Sequence, residues 1–145
     1  AFVASFFSDE IAAEVEHVHY PADPPGMPIS ATRGLVEGVK TGLLTVQLVG
    51  STGAVTTIEY EPGALSDLRQ ALEVLAPLDG EYAHNARWDD GNGFSHLRSA
   101  LLKTSISVPV VDGELALGTW QQVVALNLDN RDRVRELVAV LVGSS

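Results

Sequence analysis

Patterns of apolar and polar residues divide the chain into strands and helices. From Leu43 to Val49 the two kinds of residue alternate with a bias toward β-branched side chains, which predicts a strand, and Ala54 to Glu59 resumes as a second strand. Between Pro62 and Pro77 the leucines at positions 65, 68, 72 and 75 recur at helical spacing, and a proline suits the first turn of a helix. We therefore predict two strands followed by an amphipathic helix.

A second set of elements is predicted after a turn-rich stretch at 77–93. It comprises the helix Phe94 to Leu102 and the strands Ser105 to Val111, Leu115 to Leu128 and Val134 to Val142. Asp112-Gly113 and Asp129-Asn130 separate these strands and are typical hairpin turns. Ser30 is a suitable N-cap for an earlier helix that runs to about Lys40. The fold class is therefore α+β, with antiparallel strands and a few inserted helices.

Residues 1–28 differ from the rest, and we predict an N-terminal extension followed by one domain at 29–145. Four prolines between positions 21 and 28 prevent a helix there. The segment Val15 to Tyr20 is consistent with a short strand at a sheet edge, on which His17 and His19 would share a face. Surface histidines are common, so we favour two half-exposed strand histidines over a metal site at this pair.

Composition narrows the classes of function. The chain has 145 residues, no cysteine and a formal net charge of −10. Without cysteine, any metal would be held by histidine and carboxylate side chains. Nucleic acid is not an expected partner, because binding to phosphates needs clustered lysine and arginine. No apolar run approaches the roughly 20 residues that span a bilayer, and no signal peptide is evident. We therefore expect a soluble, cytoplasmic protein with no membrane partner.

Histidines and carboxylates are concentrated between position 82 and the first turn of the helix that begins at Phe94. The polar and aromatic residues of this segment are Tyr82, His84, Trp88, Asp89, Asp90, Asn92 and His96. Imidazole and carboxylate groups bind divalent ions and act as general acids or bases near neutral pH. The structural alternative is that Asp90 and Asn92 cap the helix and His96 is half-buried. Spacing alone favours this alternative, because no short metal motif is present.

Two further charged groups are candidates. Glu59 lies at the end of a predicted strand, where it is a candidate base or metal ligand, whereas Glu61 is explained by the favourable position of negative charge before a helix. Arg131, Arg133 and Arg135 alternate along a predicted strand and so share one face. Two interpretations of the arginines are open: bidentate binding of a phosphate or carboxylate, or ion pairing with acidic residues on neighbouring strands.

The segment Gly118 to Gln121 interrupts an otherwise aliphatic strand. Within the predicted strand, Trp120 faces opposite to Thr119 and Gln121. A buried Trp120 would still need a partner for its indole N–H. A glycine inside a strand indicates a bulge or a close backbone approach, so this segment is a candidate pocket wall.

Several blocks of sequence occur together in one order. They are Ile29-Ser30, Glu59-x-Glu-Pro-Gly, Asp67-Leu68, Trp88-Asp-Asp-Gly-Asn-Gly-x-Ser-His96-Leu-Arg, Val108-Pro-Val-Val-Asp-Gly-Glu-Leu-Ala-Leu-Gly-Thr-Trp-Gln121 and Asp129-Asn-Arg. In these blocks the chain closely resembles the YjbQ-like family, whose members are commonly labelled secondary thiamine-phosphate synthase enzymes. The resemblance covers roughly residues 29–143.

The resemblance implies a fold with two small β-sheets, a homotrimer, and a histidine-rich pocket near the subunit boundary. It also implies a small-molecule enzyme that joins a phosphorylated hydroxymethylpyrimidine to a thiazole phosphate with loss of pyrophosphate. Such a reaction needs a divalent ion, zinc or magnesium, or cationic groups to stabilise the departing phosphates. The catalytic candidates are then His84, His96 and Glu59, with both histidines as metal ligands; the candidates for binding the phosphorylated ligand are Tyr82, Asp89, Asn92, Thr119, Trp120, Gln121 and Arg135.

One departure from the family pattern bears on catalysis. Where the family usually has His-Thr-Thr, this chain has Ser51-Thr52-Gly53, and a further frequent histidine is Phe94. The matched positions therefore cannot form a three-histidine site. An alternative is a non-catalytic homotrimeric protein that binds an anionic ligand and has lost the full histidine site.

Overall fold

The computed structural model describes residues 3–8, 11–20, 27–28 and 34–145, with side chains from residue 34 onward. The strands in this part of the chain are β1 Val3–Ser8, β2 Ile11–Tyr20, β3 Met27–Pro28, β4 Thr41–Val49, β5 Gly53–Glu59, β6 Ser105–Val111, β7 Glu114–Leu115, β8 Gln121–Asn127 and β9 Arg133–Ser144. The helices are α1 Pro62–Leu75, α2 Ala83–Trp88 and α3 Gly93–Leu102. None of these helices is long and apolar enough to cross a membrane.

The strands form two antiparallel sheets. The large sheet has the order β1-β2-β9-β4-β6-β7 and the small sheet the order β3-β8-β5. Strand β9 is central to the large sheet, because it pairs with β2 along one edge and with β4 along the other. The prediction of an α+β fold with antiparallel strands in two sheets is confirmed.

The small sheet is the middle of three layers. On one face its Val55 and Val123 join the core cluster that includes Leu44 and Val46 of the large sheet. On its other face Leu126 packs with Leu72 of α1 in a second cluster. Strand β4 alternates between buried and more exposed positions, as its sequence pattern predicted. The helices therefore lie on the side of the small sheet that faces away from the large sheet.

Helix α1 is capped at both ends by side chains. The Glu61 carboxylate accepts hydrogen bonds from the backbone N–H groups of Ala64 and Gly63, which lower the pKa of Glu61. At the other end, Arg98 of α3 donates from Nε to the carbonyl of Ala76 at 2.8 Å and from Nη2 to the Glu73 carboxylate. The predicted structural role of Glu61 is confirmed, and Arg98 fastens the end of α1 to α3.

The helix predicted from Ser30 to Lys40 is wrong where the structure describes that segment. Positions 34–36 form a single 3₁₀ turn, and Gly38 adopts a left-handed conformation with φ +84°. A glycine in this conformation readily ends a helical turn. Ser30 lies outside the described residues. Val36 of the predicted apolar face is nevertheless buried in the core.

The strand predicted from Leu115 to Leu128 is wrong between its two ends. The chain leaves the large sheet after β7 and enters the small sheet at Gln121. A 2.7 Å bond from Leu117 N–H to the Leu115 carbonyl and a 3.0 Å bond from Gln121 N–H to the Gly118 carbonyl fold the intervening residues into turns. Thr119 and Trp120 therefore lie in a turn, and Trp120 is 72% exposed.

The two predicted hairpin turns have different outcomes. Asp112 and Gly113 have φ values of 53° and 85° and connect the paired strands β6 and β7, so this hairpin is confirmed. Asp129 and Asn130 instead connect β8 of the small sheet to β9 of the large sheet. That prediction is wrong because the hydrophobic pattern of two successive strands does not show which sheet each strand joins.

Two other segments differ from the sequence prediction. The strand expected at Val15 to Tyr20 is the second half of β2, which pairs with β9 throughout and, among the described residues, with β1 only as far as Val15. In its register, His17 pairs with Glu136 and His19 with Val134. The turn-rich stretch at 77–93 contains the short helix α2, whose sequence is too short for a helical period to be visible.

Candidate functional site

Two histidines predicted to be functional lie against each other. His84 is on α2 and His96 on α3, and their ring centroids are 4.4 Å apart with the planes tilted by 36°. Both side chains are partly exposed. The two imidazole rings are therefore in contact in a tilted arrangement.

Close packing between the two helices sets this arrangement. A Cβ at Gly93 would lie 2.5 Å from Tyr82 Cβ, so only a glycine allows the approach. The Gly93 N–H donates to Asn85 Oδ1 at 2.8 Å, and Tyr82 donates its hydroxyl to the Pro77 carbonyl at 2.7 Å. Tyr82, predicted to bind substrate, therefore packs α2 onto the start of α3.

Asp90 is the carboxylate that the structure places beside His84. Its Oδ1 lies 3.2 Å from His84 Nδ1. The Asn92 amide lies 3.0 and 3.1 Å from the two Asp90 carboxylate oxygens, which only its NH₂ end can face, and Asn130 Nδ2 donates to the Asp90 carbonyl at 3.0 Å. From the sequence, Asp90 was one of two loop carboxylates with possible chemistry or a helix cap, and it was not singled out as a site residue. Its position between His84 and His96 in the chain was the available signal.

The other polar residues predicted in this segment have different surroundings. Asn92 is 4% exposed and contacts Asp90, so its amide holds the carboxylate. Asp89 is exposed and ends α2 in a left-handed conformation with φ 53°. Asp89 is thus available to a ligand, whereas Asn92 is largely covered.

Arg135 is 5% exposed and belongs to a buried network at the junction of the sheets. Its Nη2 donates to the carbonyl and hydroxyl of Thr52 at 2.8 and 2.9 Å and to Asn127 Oδ1. Burial lowers the pKa of Arg135 from its usual range. Its Nε is buried with no hydrogen-bond partner within the described part of the chain. Nη1 lies beside Gly50, where a Cβ would be only 3.3 Å away.

Of the three arginines predicted to share a strand face, Arg133 and Arg135 lie on β9 and join one network through Asp129 and Thr52. Arg131 is exposed and precedes β9. Arg133 donates from Nε to Asp129 Oδ2 at 2.7 Å, which confirms the ion-pair interpretation for this residue. Burial alone would raise the pKa of Asp129, but hydrogen bonds from Arg133 and Thr52 outweigh it and the pKa is lowered.

A second group of predicted residues lies at the other end of the small sheet. Glu59 and Gln121 are register partners on β5 and β8, and both are exposed. The Gln121 amide accepts from Gly118 N–H and donates to Thr57 Oγ1 at 2.9 Å, so both of its ends are engaged. Thr119 and Gly118 border a cavity of about 340 Å³ that Leu115, Leu117 and Glu114 also line.

One chain does not bring the two groups together. Ser99, one turn after His96, donates to the Gly53 carbonyl at 2.6 Å, so the histidines lie near the Gly53–Asn127 end of the small sheet. Glu59 and Gln121 are six residues further along the strands, about 20 Å away at the usual rise of about 3.3 Å per residue. The candidate site of a single chain is therefore His84, His96 and Asp90 with their supporting residues.

A metal centre is not supported by the described side chains. Within residues 34–145, no group of three or more histidine, aspartate or glutamate side chains could hold an ion. Zinc sites in proteins use at least three protein ligands. Ser51, where the family resemblance places a histidine, is exposed in the turn between β4 and β5. The arrangement suits proton transfer, since imidazole titrates near neutral pH and a carboxylate lies beside one ring.

Comparisons with known proteins identify the group to which the chain is similar. The family model described as UPF0047 protein YjbQ-like matches residues 30–144. A UPF0047 protein of Methanothermobacter thermautotrophicus is 41% identical over 113 residues, which cover 77% of this chain and 78% of the relative. A UPF0047 protein of Synechocystis is 41% identical over 109 residues, 73% of each chain.

Solved structures share the fold. The crystal structure of a protein of unknown function from Sulfolobus solfataricus has a TM-score of 0.76 at 23% identity and covers 92% of this chain and 99% of its own. A hypothetical protein from Aeropyrum pernix has a TM-score of 0.78 at 26% identity, with coverages of 90% and 98%. None of these four names states an activity.

Proposed function

This chain belongs to the UPF0047 family of YjbQ-like proteins, and on that premise we propose that it is a small-molecule enzyme acting on a phosphorylated, anionic ligand at His84 and His96. The observation that carries the proposal is the partly exposed pair of imidazoles in contact, with the Asp90 carboxylate 3.2 Å from Nδ1 of His84. Such a pair can accept one proton and donate another near neutral pH. A structural helix contact has no need of two imidazoles and a carboxylate.

Cationic side chains near the pair support an anionic ligand. Arg131 is exposed on the turn whose Asn130 contacts the Asp90 carbonyl. Arg135 donates a hydrogen bond to the Thr52 carbonyl. Its Nη1 lies beside Gly50, which has no side chain to cover that nitrogen. We assign Arg131 to direct contact with the ligand and Arg135 to contact from the Gly50 side, because guanidinium groups bind phosphate in bidentate fashion.

The proposal includes a homotrimer with a site shared between copies. Glu59, Trp120 and Gln121 of one copy would border the histidines of the next copy, because a head-to-tail cyclic assembly brings opposite ends of a subunit together. The 72% exposure of Trp120 supports a contact of this kind, since tryptophan is enriched at the centres of interfaces. Mixing inactive Glu59→Ala and His84→Ala trimers should restore activity in hybrids; no recovery would reject the shared site.

A divalent ion, zinc or magnesium, would bind only in the trimer, because its ligands come from two copies of the chain. One chain offers two imidazoles to an ion, and Glu59 of a second copy would be the third ligand. Elemental analysis of the purified protein should then find about one ion per chain in the wild type and none in Glu59→Ala. Wild-type protein free of metal would leave acid–base chemistry by the histidines as the mechanism.

The test of the proposed reaction is complementation of a thiamine-requiring strain that lacks thiamine-phosphate synthase. We expect growth with the wild type and with the surface control Gln70→Ala, and none with His84→Ala or His96→Ala, because both imidazoles take part in proton transfer. Protein levels should be equal in all four strains. Growth with both histidine variants would contradict the catalytic role, and failure of the wild type would reject this reaction.

The alternative is a non-catalytic homotrimer that binds the ligand without converting it. The observation that favours it is Ser51, which leaves the family's histidine position without an imidazole. Calorimetry with inorganic pyrophosphate separates the two proposals when combined with product analysis. Binding without turnover, together with turnover in Ser51→His, would favour the alternative.

A further inference from the structure

The position of Asp90 beside His84 has a consequence for the imidazole itself. His84 Nδ1 is buried and faces Asp90 Oδ1 at 3.2 Å. The carboxylate lies to one side of the N–H direction, so the two groups are in close electrostatic contact without an aligned hydrogen bond. Nδ1 has no other hydrogen-bond partner among the side chains and backbone of residues 34–145.

We propose that Asp90 is a positioning residue that fixes the tautomer of His84, with the proton on Nδ1 and the lone pair on Nε2. A bare Nδ1 would hold its lone pair close to a negatively charged oxygen, which is repulsive, whereas an N–H there is attracted to it even without an aligned hydrogen bond. The remaining nitrogen, Nε2, then becomes the proton acceptor or ligand atom of the site. In metal and hydrolase sites, carboxylates orient histidines in the same way.

The surroundings of Asp90 hold the carboxylate in place for this role. The Asn92 amide donates to both carboxylate oxygens, and Asn130 Nδ2 donates to the Asp90 carbonyl at 3.0 Å. Asn92 is 4% exposed, so water competes weakly for its bonds. The turn between β8 and β9 therefore sets the position of Asp90, and Asp90 sets the tautomer of His84.

The two histidines then have different roles. Nothing in the described residues places a carboxylate against His96 as Asp90 is placed against His84. His84 is then the base of the proposed reaction and His96 the residue that donates a proton. This assignment rests on the proposed function, whereas the tautomer is measured on the protein alone.

Nitrogen-15 NMR of the uniformly labelled full chain tests the tautomer directly. At about pH 8.5, where histidine is ordinarily neutral, long-range spectra distinguish a protonated ring nitrogen from an unprotonated one. The His84 signals are assigned by their absence in His84→Gln. We expect Nδ1–H for His84 in the wild type and predominantly Nε2–H in Asp90→Ala. The neighbouring Asp89→Asn, which also removes one negative charge, should keep the wild-type pattern.

A second measurement covers the case in which Asp90→Ala fails to fold. Asn130→Ala keeps the carboxylate but removes the hydrogen bond from the turn to the Asp90 backbone carbonyl, and it should give a mixture of both His84 tautomers. Carbethoxylation, which occurs at an unprotonated nitrogen, should be several-fold slower at His84 in Asp90→Ala and less strongly slowed in Asn130→Ala, with His96 as the internal reference. An Nε2–H tautomer in the wild type would overturn the inference. An identical change in Asp89→Asn would overturn it as well, since charge alone would then explain the effect.

Discussion

Gly93 controls how closely the two histidine-bearing helices approach. A side chain at this position would collide with Tyr82 Cβ and Cγ, at 2.5 and 2.8 Å, and with Asn85 Oδ1 at 2.9 Å. Real Cβ atoms do not approach other heavy atoms this closely, so α2 and α3 would have to separate. The 4.4 Å contact between His84 and His96 depends on that approach.

Gly93→Ala should therefore destabilise the protein by about 2 kcal/mol, the middle of the range for overpacked sites. Urea unfolding followed by circular dichroism measures the change. Gly34→Ala is the matched control, because a Cβ at Gly34 meets nothing within 4 Å. Equal midpoints for Gly93→Ala and the wild type would show that the helices tolerate a wider spacing.

At the scale of residues, the sequence indicated chemistry better than geometry. His84 and His96 were predicted together, and the structure places their rings in contact. Glu59 and Gln121 were predicted as part of the same site, yet they lie at the far end of the small sheet. The separation of Glu59 and Gln121 from the histidines cannot be predicted from residue type and order in the chain, because it depends on the sheet register.

At the scale of elements, two turns hold the sheets together. Thr52, between β4 and β5, donates its hydroxyl to Asp129 Oδ2 at 3.0 Å, and Asp129 lies between β8 and β9. Arg133 and Arg135 add bonds from β9 to the same network. Each turn connects a strand of the large sheet to a strand of the small sheet. This hydrogen-bond network therefore joins the two connections, β4 to β5 and β8 to β9, to each other.

Removing the charge of Asp129 should weaken this junction in a pH-dependent way. Because the pKa of Asp129 is lowered in the folded state, its ionised form stabilises the fold above about pH 4, the ordinary range of aspartate. That stabilisation is lost as the pH falls through the lowered pKa. Asp129→Asn should cost about 2 kcal/mol at pH 7, and the difference from wild type should shrink below pH 4.

Chemical unfolding at pH values between 7 and 3 measures this difference. Asp79→Asn is the control, because Asp79 is exposed in a turn and should leave the free energy of unfolding unchanged at every pH. A constant deficit for Asp129→Asn across the whole range would mean that packing, and not ionisation, explains the loss.

The elements themselves were predictable to different degrees. The strand Ser105–Val111 was predicted with its observed bounds, and the helix from Pro62 ends at Leu75, two residues before the predicted proline limit. The segment 116–120 was not predictable, because its apolar residues continue the pattern of a strand while the chain passes from one sheet to the other. Such a crossing is decided by tertiary packing.

At the scale of the whole molecule, the outer face of the large sheet carries exposed apolar side chains that the proposed trimer would bury beside the Trp120 contact. Leu43 of β4 and Val142 of β9 are register partners on this face and are 45% and 49% exposed. Val111 of the neighbouring β6 and Val134 at the start of β9 are more than half exposed. With a net charge of −10, copies of the chain repel each other, so a mainly apolar face is favoured as an interface, although Glu136 of β9 lies on it.

The proposed trimer should therefore dissociate when this face is charged. Light scattering after gel filtration should give three times the 15.4 kDa chain mass for the wild type and the mass of one chain for Val142→Asp. Val74→Asp is the matched control, since Val74 is 84% exposed on α1 and should leave the trimer intact. A wild type that elutes as a single chain would reject the trimer, and a trimeric Val142→Asp would place the interface elsewhere.

The central position of β9 in the large sheet has a consequence for how the protein is made. Strand β2 is synthesised early, yet its partner is β9, so that Ile11 pairs with Val142. Strand β4 shares the same partner. On the ribosome both strands must wait with an open edge until residues 133–144 emerge, and open edges invite pairing with other chains. A nascent chain stalled before β9 therefore has open strand edges on β2 and β4, and a chaperone would protect those edges from pairing with other chains.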